Sequence, residues 1–186
     1  MKPGVRALGV AESFTDDRST IAGAVVRADR VTDGFAFTDC TVGGTDATDA
    51  VLELTDFLDR EDVQYLLVSG IALAWFNVLD LTRIHEGTDR PVVSVTYEAS
   101  DGLEPALREA FEGPALETRL ATYRAQPARE RVSLGDDTVF VRNVGLPDAE
   151  AAEVVRGFTP GGGRPEPLRV ARLAARAADQ FRAAAD

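Results

Sequence analysis

Three carboxylates at the ends of three separate segments are the side chains best suited to chemistry in this sequence. Glu12 follows the apolar run Val5 to Val10, Asp46 opens an amphipathic stretch, and Asp80 closes the segment Gly70 to Asp80. Carboxylates that reach one point from separate segments can hold divalent metal, which activates a water and stabilises a leaving oxygen. Each also has a plainer role. Glu12 suits a solvated position after a strand, Asp46 suits a helix cap that accepts a backbone N–H, and Asp80 suits a helix start or its surface. Ser69 is a nucleophile with no histidine or lysine base near it in sequence. Trp75 and Phe76 read as core before they read as base-stacking groups.

A second set is basic. Arg169, Arg172 and Arg176 recur at helical spacing on one side, with Leu168, Ala171, Ala175 and Ala178 following the other. Such a stripe either meets phosphate or forms a solvated face with local ion pairs. Arg119, Arg124, Arg129 and Arg131 add to the basic character of the later part of the chain. Gly161 to Gly163, just before a helix, reads as a flexible connection or as a phosphate-binding loop.

The elements that must position these groups follow from periodicity. Val5–Val10, Ile21–Arg27 and Val31–Cys40 read as three successive strands, with Phe35 and Phe37 alternating as in a half-buried strand and Ala28-Asp29-Arg30 as a hairpin connection. Between Thr45 and Arg60, Ala47, Ala50, Val51, Leu54, Phe57 and Leu58 fall on one helical stripe. Val63–Ile71 is continuous enough for a central strand covered on both faces. Helices are expected over Val78–His85, Leu103–Phe111, Pro147–Gly157 and Pro165 to about Ala184. Further strands are expected over Pro91–Tyr97, Glu130–Leu134 and Thr138–Asn143. Three strands followed by helix-strand crossovers give an α/β fold of the RNase H-like kind, with a mixed sheet, and residues 1–186 are expected to form one domain.

Composition narrows the setting. There are 31 acidic and 20 basic residues, a net charge of -11, and Lys2 is the only lysine. An acidic surface so depleted of lysine points to a halophilic cytoplasm, where salt screens self-repulsion, rather than to solubility alone; a halophilic archaeon is the expected source. Cys40 as the only cysteine excludes a disulfide framework and cysteine-rich zinc sites, and His85 as the only histidine excludes multi-histidine metal sites. No P-loop, nucleophile elbow or dinucleotide fingerprint is present. The first residues lead into no signal-peptide pattern and no apolar run reaches the ~20 residues of a membrane span, so a cytoplasmic protein without a membrane partner is expected.

The stretches GVAESF at Gly9 to Phe14, GGTDATDAV at Gly43 to Val51, GIALAWFNVLD at Gly70 to Asp80 and PEPLRVARLAARAA at Pro165 to Ala178 resemble one archaeal family. It is the endonuclease dU family, also called domain of unknown function ninety-nine, whose fold is similar to that of endonuclease V. The resemblance implies an endonuclease that uses Mg2+ or Mn2+ and acts on DNA carrying a deaminated base such as deoxyuridine. It also implies acidic residues where Ala11, Gly43, Thr45 and Ser69 stand, and a histidine at Arg172. Of the implied acids, Glu12 and Asp46 remain as catalytic and metal-binding candidates, with Asp80 as a further ligand. A serine hydroxyl is a weak, neutral ligand for magnesium. The expectation is a nuclease fold with a degraded metal site, its activity reduced, altered or absent; the alternative is a pseudo-nuclease that binds DNA, through Arg169, Arg172 and Arg176, or binds an active relative.

Overall fold

The computed structural model describes residues 1–185; residue 186, the last of the expected domain span, lies outside them. Strands β1 (Arg6–Phe14), β2 (Arg18–Arg27) and β3 (Thr32–Thr41) form an antiparallel meander, with Arg6 opposite Arg27 and Phe14 opposite Ser19 in the first pair. Helix α1 (Ala47–Leu58) then crosses to β4 (Val63–Val68), which runs parallel to β1 and sets Val68 beside Val10. A small hairpin, β5 (Ala72–Leu73) with β6 (Asn77–Val78), precedes α2 (Leu81–Thr88). Strand β7 (Val92–Thr96) lies parallel to β4. Helices α3 (Glu104–Ala110) and α4 (Gly113–Arg124) lead to β8 (Glu130–Leu134) and β9 (Asp137–Val144), and α5 (Asp148–Gly157) and α6 (Glu166–Ala183) complete the order. The seven-stranded sheet runs β3-β2-β1-β4-β7-β9-β8, with β9 antiparallel to both its neighbours. This is the mixed sheet the element order predicts.

Both faces of the central strands are covered, because side chains alternate across a strand. Leu8, Val10, Ile21, Leu66 and Val68 pack with Val51 and Leu54 of α1 on one face. On the other, Ala7, Leu67, Val93 and Val95 meet Val154, Val155 and Phe158 around α5 and Leu168 of α6. Helix α6 lies very close to β1: a Cβ on Gly9 would overlap the Pro167 carbonyl, and Ala11 packs in a cluster with Ala171. Farther along, buried Asp179 accepts hydrogen bonds from Ser13 Oγ at 3.2 Å and Thr15 Oγ1 at 2.8 Å, tying the helix to the end of the same strand. Among the described residues no helix is long and apolar enough to cross a membrane.

Two expectations need correction, and one helix was not foreseen. Phe35 and Phe37 stack on the exposed face of β3, whereas Ala36 and Cys40 point into the core. An edge strand over a closely packed helix takes its small residues inward. The helix expected from Val78 begins at Leu81, since Asn77 and Val78 pair in the β5–β6 hairpin. Helix α4 carries no apolar stripe to betray it: its buried residues are Leu120 and Arg119, the latter satisfied by backbone carbonyls.

Candidate functional site

The parallel strands β4 and β7 end beside one another, and a cleft opens there. Ser69 continues the β1–β4 pairing through its N–H to the Val10 carbonyl at 3.0 Å, and Gly70, with φ +84°, turns the chain away in a conformation that favours glycine. Two adjoining hollows of about 280 and 330 Å³ share Ser69, Gly70, Thr96, Ser100 and Arg129. Ends of parallel strands in α/β sheets are where ligands commonly bind. Here the oxygens that line the space are mostly hydroxyls, and Glu98 is the only carboxylate among the lining residues.

Four arginines stand around this cleft. Arg129 donates to Ser100 Oγ at 3.1 Å and to the Ser100 carbonyl at 2.6 Å, and its guanidinium lies 4.5 Å from the Phe140 ring centre. Arg142 donates to the Pro127 carbonyl and lies 5.6 Å from the Tyr123 ring centre. Burial pulls its pKa below the usual arginine value. Arg164 lies 3.9 Å over Tyr97, and Arg172 reaches the same hollow from α6. Burial raises the Tyr97 hydroxyl above its ordinary value, with the positive charges of Arg164 and Arg172 opposing the shift.

None of Glu12, Asp46 and Asp80 lines the cleft, and among the described residues no three His, Cys, Asp or Glu side chains gather as a metal site would require. Glu12 follows Leu8 and Val10 onto the α1 face, where its carboxylate accepts from Ser19 Oγ at 2.7 Å. Ala11, one residue earlier, faces α6 instead. Asp80 caps α2, accepting from the Arg83 N–H at 3.0 Å. Asp46 precedes α1 but makes no side-chain cap. Its carboxylate turns back to accept from the Thr41 N–H at 3.1 Å, Thr41 Oγ1 at 2.8 Å and Asn77 Nδ2 at 2.7 Å. Burial works against the charged form, but the hydrogen bonds from Thr41 and Asn77 outweigh it and hold the carboxyl below the ordinary carboxylate range.

Glu12 and Asp46 do share one neighbour, the buried thiol of Cys40. Burial first, then the negative charges of Asp46 and Glu12, push that thiol from 9.0 up to about 12. The thiolate is the reactive form, so Cys40 should resist alkylation in the folded protein at pH 8 and react on unfolding. The unfolded thiol ionises near 9 while the folded one stays protonated, so this group leaves stability untouched below pH 9 and lowers it as pH climbs from 9 towards about 12. Glu12→Gln should lower the upper end of that window, measurable as a smaller loss of denaturation midpoint between pH 10 and 12.

Asn77, absent from the sequence candidates, joins these segments. It is fully buried; Oδ1 accepts from the Ala47 N–H at 3.0 Å, and Nδ2 donates to Asp46 and to the Thr41 carbonyl at 2.9 Å. Just before it, Ala74, Trp75 and Phe76 all hold positive φ, a strained run for non-glycine residues. Trp75 is 51% exposed, which corrects its assignment to the core. It packs on Phe76 and Phe111 and over Gly43, where a Cβ would meet the indole. Arg119, 5% exposed, donates to the Gly43, Gly44 and Phe76 carbonyls, so it is a buried brace and not part of a surface stripe.

The remaining basic candidates divide. Arg124 pairs with Glu104, and Arg169 pairs with Glu166 at 2.6 Å. Arg176 lies exposed on α6, away from the residues lining the cleft. Only Arg172 of the α6 stripe reaches the hollow, where Arg164 and Arg129 meet it. The sequence signal for this grouping is weak, because the residues come from the approach to β8, from β9, from the glycine loop and from α6.

Comparison with known proteins adds the ancestry. The family model described as endonuclease dU matches residues 3–179. A UPF0215 protein of Thermococcus kodakarensis is 35% identical over 186 residues, covering 95% of this chain and 93% of that one. Among solved structures, a protein of unknown function from Archaeoglobus fulgidus superposes with a TM-score of 0.83 at 28% identity, over 94% of this chain and 98% of the other. Ciona intestinalis endonuclease V, crystallised with a 23mer DNA containing an inosine, superposes with a TM-score of 0.65 at 12% identity, over 95% and 86% of the two chains, a likeness of fold.

Proposed function

The chain belongs to the endonuclease dU family, and from that premise we propose that it is a nucleic-acid-binding protein that retains the nuclease fold without the metal-dependent cutting of DNA. The observation that carries this reading is Ser69, a neutral hydroxyl at the end of β4, in a cleft bordered by four arginines and a lone Glu98. Magnesium and manganese favour carboxylate oxygens, and guanidinium groups repel a cation. The residues present therefore do not fit a divalent ion there. The Ciona endonuclease V that shares this fold was crystallised with inosine-containing DNA. DNA with a deaminated base, deoxyuridine or inosine, is the corresponding ligand class here.

In high salt, the purified protein should bind deoxyuridine-containing DNA and produce no cut strands above the metal-free control when Mg2+ or Mn2+ is added. Loss of one electrostatic stabiliser costs about 10²–10³ in rate, so replacement of several should leave no measurable turnover. A second reading, a metal-dependent endonuclease, draws on the shared position of Glu12 and Asp46 beside Cys40. Manganese-dependent cutting that disappears in the Glu12→Gln, Asp46→Asn double variant would establish that reading and overturn the first.

A further inference from the structure

We propose that the cleft at the ends of β4 and β7 is a seat for the phosphate monoester of a nucleotide, gripped by Arg129, Arg142, Arg164 and Arg172 without a metal ion. The inference deepens the nucleic-acid reading by naming the group that is held.

Charge pairing divides the arginines of this chain. In a chain of net charge -11, Arg6, Arg18, Arg27, Arg60, Arg83, Arg108, Arg124, Arg169 and Arg182 all have a carboxylate within 4.0 Å. Among the described residues, none of the four cleft arginines has one; Arg30, Arg90, Arg119, Arg131, Arg156 and Arg176 also lack one, but none of those lines the cleft, where the four stand together. Carboxylates are abundant on this surface, yet Glu98 alone lines this hollow against Arg129, Arg164 and Arg172, which leaves it locally positive against the charge of the whole molecule.

Three of the four are also held in place before any ligand arrives. Arg129, Arg142 and Arg164 lie against the rings of Phe140, Tyr123 and Tyr97, and Arg129 and Arg142 spend some N–H groups on backbone carbonyls. A guanidinium has five donors in a fixed fork suited to phosphate oxygens, so donors remain. Ser69, Thr96 and Ser100 add hydroxyls at the same point. The glycine loop serves this arrangement through Arg164 and not through its own amides: the Gly163 N–H is bonded to Asp137 Oδ2 at 3.0 Å. That bond tethers the end of the loop to the start of β9.

Both charge and depth favour a monoester. A terminal phosphate carries about -1.5 to -2 at pH 7, against a single charge on a backbone diester, and several cations reward the difference. Arg129, Arg142 and Arg164 are half-buried, and charges withdrawn from solvent are screened less by salt than those on an open helix face. The adjoining hollow, with Leu103, Tyr123 and Phe140 in its wall, offers apolar surface of the kind a base takes.

The test measures binding at fixed high salt with EDTA throughout. The probes are a labelled oligodeoxynucleotide with a 5′-phosphate, the same strand without it, a deoxynucleoside monophosphate and inorganic phosphate. The phosphorylated strand should bind at least tenfold tighter than the unphosphorylated one. That preference should vanish in Arg164→Gln and in Ser69→Asp, which sets a negative charge among the arginines, with melting temperature confirming that both variants fold. Competition by the monophosphate and by inorganic phosphate would identify free nucleotides as the source, and preference for the phosphorylated strand alone would identify nucleic-acid ends. Binding of the monophosphate with no binding of either strand would uphold the phosphate seat and overturn the nucleic-acid reading. Equal binding of the two strands, insensitive to both variants, would overturn the phosphate seat and leave nucleic-acid binding standing. A phosphate preference that appears only with added Mg2+ or Mn2+ would also overturn it.

Discussion

Replacing Asn77 with alanine is expected to lower the unfolding free energy by about 3–4 kcal/mol, since each buried polar group left without its partner costs about 1–3 kcal/mol. The amide closes three hydrogen bonds at once, to the Ala47 N–H, the Thr41 carbonyl and the Asp46 carboxylate. Without it the first N–H of α1 is stranded in the interior and the β5–β6 hairpin loses its hold on the β3–α1 junction. Urea titration at constant salt would read the change as a lower midpoint with an unaltered slope. A midpoint within experimental error of the wild type would show that the three segments are held together by something else. Asn77→Asp makes a sharper contrast. It can still accept from Ala47 but sets a second negative charge beside Asp46. Repulsion raises the pair's affinity for a proton in the folded state, so this variant should recover stability as pH falls and lose it as pH rises through the carboxylate range.

Gly9→Val should be nearly as damaging. Overpacking costs about 1–3 kcal/mol and occasionally more, and here the obstruction is the Pro167 backbone, which cannot rotate aside as a side chain can. The expected loss is about 3 kcal/mol, borne by the contact between β1 and the first turn of α6. Hydrogen exchange should locate it there, with faster exchange along α6 and little change in β7, β8 and β9. Uniform acceleration across the sheet would show that α6 does not respond as a separate unit.

The sheet was legible because its strands obey simple patterns. Leu66 to Val68 is apolar throughout because helices cover both faces, and the change from period two to the Ala47-Val51-Leu54 stripe marks the passage from β3 to α1. Helix α4 escaped because its contact with the body is made by Arg119 reaching for carbonyls, and no periodic measure of hydrophobicity registers such a contact. The exposed indole of Trp75 escaped for a related reason. Its orientation comes from three left-handed residues, none of them glycine, and no side-chain type announces them.

The candidate site was legible in its parts and not in its assembly. Glu12, Asp46 and Asp80 do lie near the ends of elements, as their spacing implies, but each carboxylate is already engaged by Ser19, by Thr41 with Asn77, or by the N–H of Arg83. Those partners sit at separations of 3 to 31 residues. The cleft arginines depend still more on topology: β9 must return antiparallel beside β7 before Arg142 can stand opposite Ser94.

The alternation of β1 bears on what a carboxylate at either of two adjacent positions could reach. In the written sequence Ala11 and Glu12 are neighbours, and a tally of acids would treat a carboxylate at either as equivalent. In space a full layer of backbone divides them, so a mutation that supplies charge at one cannot stand in for charge missing at the other. Placing an acid at Ala11 would also require space now occupied by Ala171, so the helix would have to retreat first. A working carboxylate on that face therefore needs two coordinated changes, one in the strand and one in the helix, where the opposite face needs only one.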